Sequence, residues 1–344
     1  MRKSTLCSGL VLGVSISLQA DDACDATAIY SMADVTVSDG TTYQVEGLYK
    51  SRQRATARFI RDNTTLHVLE GPNVWVQSAE SAKLAGDFQR DFTIGHQFHA
   101  FFLRFGDLVS NTERVQTVEF AGAQYSALRG ERDTGGQVYL IDGATADQPL
   151  GLRYDVGDLR IEITASDWRE VSGEQVPFAL SIDDGERVFE YRYSTVDLSD
   201  KPLMWFYDSV PSPDIPVVDV ERLHRKTLIA HCLGDAEMLA SLTAPTATIA
   251  NRGSVIETTP EEMAMRFANV FERRKYSAYI DTALPRVSAD DRVGWAAVQI
   301  NTKGHTPANG ERFDEYWAWV MMAEKIDGTW LMTGNASNLR PGSR

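Results

Sequence analysis

Cysteine is scarce, with three residues in 344, and histidine is little better represented, with six. Once the first twenty residues are set aside, Cys24 and Cys232 remain and can form at most one disulfide. Basic residues are in deficit: 34 lysines and arginines face 48 aspartates and glutamates, for a net charge of -14. That balance argues against nucleic acid, whose binding rests on basic patches meeting phosphates. It argues equally against lying flat on anionic lipid, and leaves open a neutral or cationic ligand held in a pocket. Beyond the N-terminal segment no apolar run approaches the roughly 20 residues that span a bilayer. The chain also lacks a His-Glu-x-x-His run, a phosphate loop, a dinucleotide fingerprint and a nucleophile elbow. No metal and no cofactor is expected.

What is present begins with export. Arg2 and Lys3 form a short positive segment, Leu6 to Leu18 is mostly apolar, and Ser17-Leu18-Gln19-Ala20 puts a small residue before a cleavage point. This is the three-part pattern of a secretory signal, residues 1–20, and it implies a periplasmic or secreted protein. Removing it takes away only two cations, so the net charge of -14 becomes -16. Cys24 follows Asp21-Asp22-Ala23, a poor context for a lipoprotein signal. In an oxidising compartment a Cys24–Cys232 disulfide would pin the N-terminus to the second half of the chain. The plainer alternative makes Cys232 a small buried side chain on a helix.

The remaining length exceeds what one hydrophobic core usually spans. Pro202, Pro211, Pro213 and Pro216 mark the one clear shift in composition. The division is therefore a domain over 24–210, a proline-rich linker over 211–218 and a second domain over 219–340.

The first domain reads as antiparallel sheet. Short alternating runs of β-formers are separated by Asp39-Gly40, Gly135-Gly136, Asp142-Gly143 and Asp184-Gly185. Ile94 to Val109 is the exception: His96, Phe98, Ala100, Phe101, Phe102, Phe105 and Leu108 fit one helix with a broad apolar face. One helix among many strands predicts a curved sheet covered on its concave side. With the runs Tyr43-Gln44-Val45-Glu46-Gly47, Thr65 to Gly71 and Val74-Trp75-Val76, this half-barrel with an inserted helix resembles the periplasmic lipoprotein carriers of LolA-like fold. The resemblance implies an apolar hollow, with Phe98 and Phe102 as ligand contacts. A solid core is the bland alternative.

The second domain reads as helices followed by long strands, an α+β order. A helix runs to about Leu233 and breaks at Gly234-Asp235, where Asp235 caps the next turn. Thr259-Pro260-Glu261-Glu262 is a helix start with a capping box, followed by Met263, Phe267, Val270 and Phe271 on one face. Strands are expected over Arg292 to Asn301, Glu311 to Glu324 and Thr329 to Gly334, with a tight turn at Asp327-Gly328. Ala230 to Asp235, Leu239 to Pro245, Phe313 to Val320 and Lys325 to Leu331 together resemble the α+β cone of the NTF2-like and SnoaL-like proteins. Where many relatives end the last strand with histidines, this chain has Thr333-Gly334-Asn335-Ala336-Ser337-Asn338. Amides and hydroxyls orient a ligand rather than take its proton.

Strand period two puts Phe313, Glu315, Trp317 and Trp319 on one face, and Val293, Trp295, Ala297 and Gln299 on one face of the strand before. Trp295 and Trp317 are the candidate aromatic wall, with packing against helices as the plainer role. His231, Tyr316 and Asn335 are the polar candidates, His231 because its ordinary pKa near 6.5 suits a base. His96 and His99 could share a metal but show no third ligand.

Three functions follow. The leading one is a non-enzymatic exported protein that binds a hydrophobic small molecule or lipid. The second is a cyclase, isomerase or dehydratase with His231 as base and Tyr316 or Asn335 as donor. The third is an interaction module, such as a homodimer formed through the C-terminal domain.

Overall fold

The computed structural model describes residues 21–340 apart from 133, 134, 157, 202 and 252. The signal segment 1–20 lies outside the described residues. Antiparallel sheet dominates, with a few helices, as the α+β reading expects. No helix among the described residues is long and apolar enough to cross a membrane.

Thirteen strands form one sheet, and their order explains how the chain fills it. Starting from Thr27–Val37 the chain meanders outward by hairpins to the edge at Ala82–Leu84. Helices carry it to the opposite edge at Ser110–Phe120, and it meanders back until Val188–Asp200 pairs with Thr27–Val37. The helical passage is three short helices, Asp87–Gly95, Phe98–Leu103 and Phe105–Leu108, rather than one over 94–109. Phe98 to Phe102 are five consecutive buried residues, more than a single helical stripe can cover. Breaks at Gln97 and Arg104 turn the segments so that all are buried, and Gln97 donates to the Thr56 and Thr93 carbonyls.

The second sheet has seven strands in the order Asp21–Asp22, Lys275–Val287, Val293–His305, Arg312–Ile326, Thr329–Leu339, Thr243–Asn251, Ser254–Thr258. One pairing is parallel, between Thr243–Asn251 and Thr329–Leu339. Lys275–Val287 is a full strand that the sequence reading did not find. The Asp327-Gly328 turn has positive φ at both residues, 49° and 83°, as a tight hairpin needs. Helices Pro216–Leu233, Ala236–Ser241 and Pro260–Arg273 serve this sheet. Their boundaries follow local chemistry: Gly234 takes the left-handed cap at φ 66°, Asp235 accepts from the Met238 N–H, and Thr259 and Glu262 form the capping box.

The helix Pro216–Leu233 is shared. One side packs on the seven-stranded sheet, and the other meets strands Thr42–Ser51, Arg54–Ile60, Thr65–Glu70 and Asn73–Gln77 of the larger sheet. Those strands are covered on both faces: Val45, Ala55, Leu69 and Val74 join the core beneath the short helices, while Leu48, Leu66, Val68 and Trp75 join the core around the shared helix. Buried charges cross this joint. Arg54 donates to Glu221 at 2.5 Å and to the Tyr207 hydroxyl, and Arg222 donates to Glu70 at 2.5 Å. Glu70 also accepts from the Trp75 indole, and Arg225 pairs with Asp281, which holds His224 at 2.8 Å. Gly71 sits over this pairing at φ 59°, where an added Cβ would lie 2.7 Å from the Glu221 carboxylate. Cys24 and Cys232 form a disulfide, which ties the segment after Asp21–Asp22 to the end of the shared helix.

Candidate functional site

The inner face of the seven-stranded sheet is where side chains, helices and open space meet. Antiparallel register sets Val298 opposite Trp319, Ile300 opposite Trp317 and Thr302 opposite Glu315. These residues share one face, and the helices do not fill the space over it. A cavity of about 1030 Å³ results. Its depth follows the strand Arg312–Ile326 from Arg312 and Phe313 at one end, through Glu315 and Trp317, to Trp319. The six steps from Phe313 to Trp319 span ~20 Å at the usual strand rise. At the inner end the Trp319 ring meets His224 edge-on at 5.3 Å, so the cavity adjoins the buried charges of the joint.

The walls combine an apolar and aromatic set with a larger number of polar side chains. Leu239, Met263, Phe267 and Val270 come from the two smaller helices, Ile249 and Met332 from neighbouring strands, and Tyr276 and Tyr279 from Lys275–Val287. Burial raises the pKa of both tyrosines, so they are neutral hydroxyls. Asn335 and Ser337 reach the cavity because the pairing slips by one residue between Met322 and Ala323. That bulge reverses which residues of Thr329–Leu339 point inward, from Trp330 and Met332 to Asn335 and Ser337.

His231 lines the cavity beside Phe267, Phe271 and Tyr279. Its Nδ1 lies 2.7 Å from the Thr227 carbonyl, which can only accept, so the proton sits on Nδ1 and Nε2 is an acceptor. Burial pushes its pKa down to about 4, against the Thr227 bond that favours the charged form. A neutral imidazole that weakly basic is poorly matched to proton abstraction near pH 7. Among the described residues, the polar groups buried here without a hydrogen-bond partner include the Asn251 amide oxygen, the Thr302 hydroxyl, in a residue 1 % exposed, and the Trp319 indole N–H, in a residue 8 % exposed. Leaving such a group unmatched costs about 1–3 kcal/mol, which a ligand's polar atom would offset.

The structure brings together only some of the residues singled out from sequence. His231, Trp317 and Asn335 share the cavity. Trp295 does not: its register partner is Met322, and both lie 40 % exposed on the opposite face of the sheet. Tyr316 is on that outer face too, 46 % exposed, because it is one residue out of phase with Glu315 and Trp317. The sheet therefore separates Tyr316 from His231, and the acid–base pairing of those two is corrected. Phe98 and Phe102 are core residues of the larger sheet, edge-on to Tyr191 and Trp168. The space they were expected to line is occupied by side chains of the three short helices. His96 and His99 point apart, to the Phe92 and Pro177 carbonyls.

Several cavity residues carry no local sequence signal of a site. Arg266, Arg273, Arg274 and Arg312 line it, as do Thr302, Tyr276 and Tyr279. The tyrosines lay on the unrecognised strand, and the arginines were spread over two elements whose meeting no local pattern announces.

Neither a family profile nor a curated protein sequence matches this chain. Among solved structures it is similar to a ketosteroid isomerase-like protein from Erwinia carotovora atroseptica, at 12 % identity, covering 37 % of this chain and 97 % of that one with a TM-score of 0.32. An NTF2-like protein from Rhodospirillum rubrum is similar at 19 % identity over 36 % of this chain and 98 % of its own, TM-score 0.31. A LolA superfamily protein from Nitrosomonas europaea is similar at 16 % identity over 54 % of this chain and 92 % of its own, TM-score 0.41. Both resemblances read from the sequence thus recur among the structural neighbours.

Proposed function

We infer that this chain is an exported, two-domain protein that holds a hydrophobic small molecule or lipid without transforming it. The observation that carries the reading is the cavity of about 1030 Å³ walled by Leu239, Met263, Phe267, Trp317 and Trp319. Its size is that of a small-molecule site, and its apolar and aromatic side chains give a hydrophobic ligand a surface to pack on. The weak basicity of His231 and the position of Tyr316 across the sheet weigh against acid–base catalysis. In this reading the thirteen-stranded sheet is a half-barrel closed by its short helices, and the seven-stranded sheet is the cone that does the holding. Export to the periplasm or medium rests on the N-terminal sequence.

The test is direct. Purified protein should bind a neutral apolar dye with one-to-one saturation, and Trp317 or Trp319 fluorescence should respond. Absence of saturable binding, with no lipid extractable from freshly isolated protein, would remove the reading.

A second reading concerns the partner. Leu284, Val293, Trp295, Tyr316, Val320 and Met322 form an exposed apolar strip on the outer face of the seven-stranded sheet. A homodimer through this face would cover it. Trp295→Lys should then convert dimer to monomer in sedimentation, and a wild-type monomer at high concentration would dismiss the idea.

A further inference from the structure

The whole-chain charge leaves open a neutral or cationic ligand, yet the cavity carries the reverse local balance. Arg266, Arg273, Arg274 and Arg312 line it, against Glu311 and Glu315; His231 is uncharged. The two acids are engaged: Glu315 pairs with Arg274 at 2.9 Å, and Glu311 accepts from Asn309. Arg273 donates its Nε to the Asn269 carbonyl and keeps its remaining N–H groups. Arg266 and Arg312 are exposed, and among the described residues no ion pair engages either one. A surplus of two cations therefore surrounds this cavity in a chain of net charge -14.

Position matters as much as sign. Arg312 begins the strand whose inward residues lead to Trp317 and Trp319, so this cation and those two indoles stand at opposite ends of one inward-facing row. Between and beyond them lie the unpartnered Thr302 hydroxyl and Trp319 indole N–H, each more than nine-tenths buried. Low-dielectric walls concentrate the field of the rim charges within such a cleft.

We propose that the ligand is a single-chain amphiphile with an anionic head, its oxyanion set between Arg266 and Arg312 and its hydrocarbon tail running along Trp317 toward Trp319. This deepens the holding role and rests on it. The Thr302 and Trp319 donors suit a tail bearing an oxygen acceptor, which would add discrimination among chains of equal length. Guanidinium groups match a carboxylate in a planar, two-bond geometry.

The test compares one tail with two heads. Binding of cis-parinaric acid and of its methyl ester is followed by fluorescence in the wild-type protein and in Arg266→Gln/Arg312→Gln, at low and high sodium chloride. The acid should bind about tenfold more tightly than the ester at low salt, an advantage in line with two exposed ion pairs. High salt should shrink that ratio, and the double variant should bring it near one while ester affinity holds. Equal affinity of acid and ester in the wild type overturns the anionic head and leaves the holding role standing. An advantage that survives both salt and the double substitution overturns the arginine assignment. Failure of both probes to bind removes the holding role itself. Salt dependence in the wild type needs no variant to fold.

Discussion

Arg54 and Glu221 meet at 2.5 Å with neither side chain reaching solvent. One belongs to the thirteen-stranded sheet and the other to the helix that serves the seven-stranded sheet, 167 positions away. Buried ion pairs add little net stability over apolar packing of equal volume, but losing one partner strands the other charge. Glu221→Gln should destabilise the protein by about 3–5 kcal/mol in urea unfolding. Arg54→Met with Glu221→Leu should recover most of that loss. If the single variant costs under about 0.5 kcal/mol, no stranded charge is left at the joint.

Gly71→Ala tests the same joint from above. The change places a methyl 2.7 Å from the Glu221 carboxylate at a backbone φ of 59°. Both the left-handed strain and the contact oppose it, for an expected cost of about 1–3 kcal/mol. A melting temperature unchanged from wild type would contradict this.

The Cys24–Cys232 disulfide closes a loop with a sequence separation of 208. Chain-entropy reasoning gives long loops the larger effect, with a typical range of about 2–4 kcal/mol. Thiol reductant should lower the unfolding midpoint accordingly, and Cys24→Ser/Cys232→Ser should show the same midpoint with or without reductant.

Acidification should weaken the fold well before the carboxylates titrate. His99 and His231 are buried, and burial pushes each down to about 4, from an ordinary value of 6.5. Between those limits the unfolded chain binds protons that the folded chain refuses, so stability is full above pH 6.5 and declines toward pH 4. Each histidine contributes up to about 1.4 kcal/mol per pH unit in mid-window. Asp281 adds a later loss: burial raises its pKa, Arg225 and His224 lower it further, and the net depression is forfeited only below the ordinary carboxylate range. Urea midpoints at pH 7.5, 6 and 5 read this out; a flat series would count against it.

Trp317→Ala should weaken binding of a neutral apolar probe by about tenfold or more, since burying an aromatic ring is worth roughly 1.5–3 kcal/mol. Trp295→Ala, across the sheet, should leave that affinity unchanged. Equal effects of the two substitutions would place the probe elsewhere.

Much of this arrangement could be read from local pattern. Thr259 with Glu262 announced a helix start, and alternation alone grouped Phe313, Glu315, Trp317 and Trp319. Alternation did not say which face of the preceding strand they join. That depends on register, which pairs Ile300 with Trp317 and sends Trp295 outward. Asn335 was named, but its inward aim depends on a bulge that no residue type declares. The charges of the joint were illegible for a different reason. Arg54, Glu70, Glu221 and Arg222 look like ordinary surface residues until strands and helix more than 150 positions apart are brought together.

The strand Asp21–Asp22 bears on how the chain is made. Asp22 accepts the backbone N–H of Tyr279, 257 positions later. The earliest described residues thus dock on a strand that is synthesised near the end. Contacts of such separation are slow to form. Until they do, the stretch of Lys275–Val287 that pairs with Asp21–Asp22 stays bare, so a chain with an undocked N-terminal segment would present an open strand edge to its surroundings.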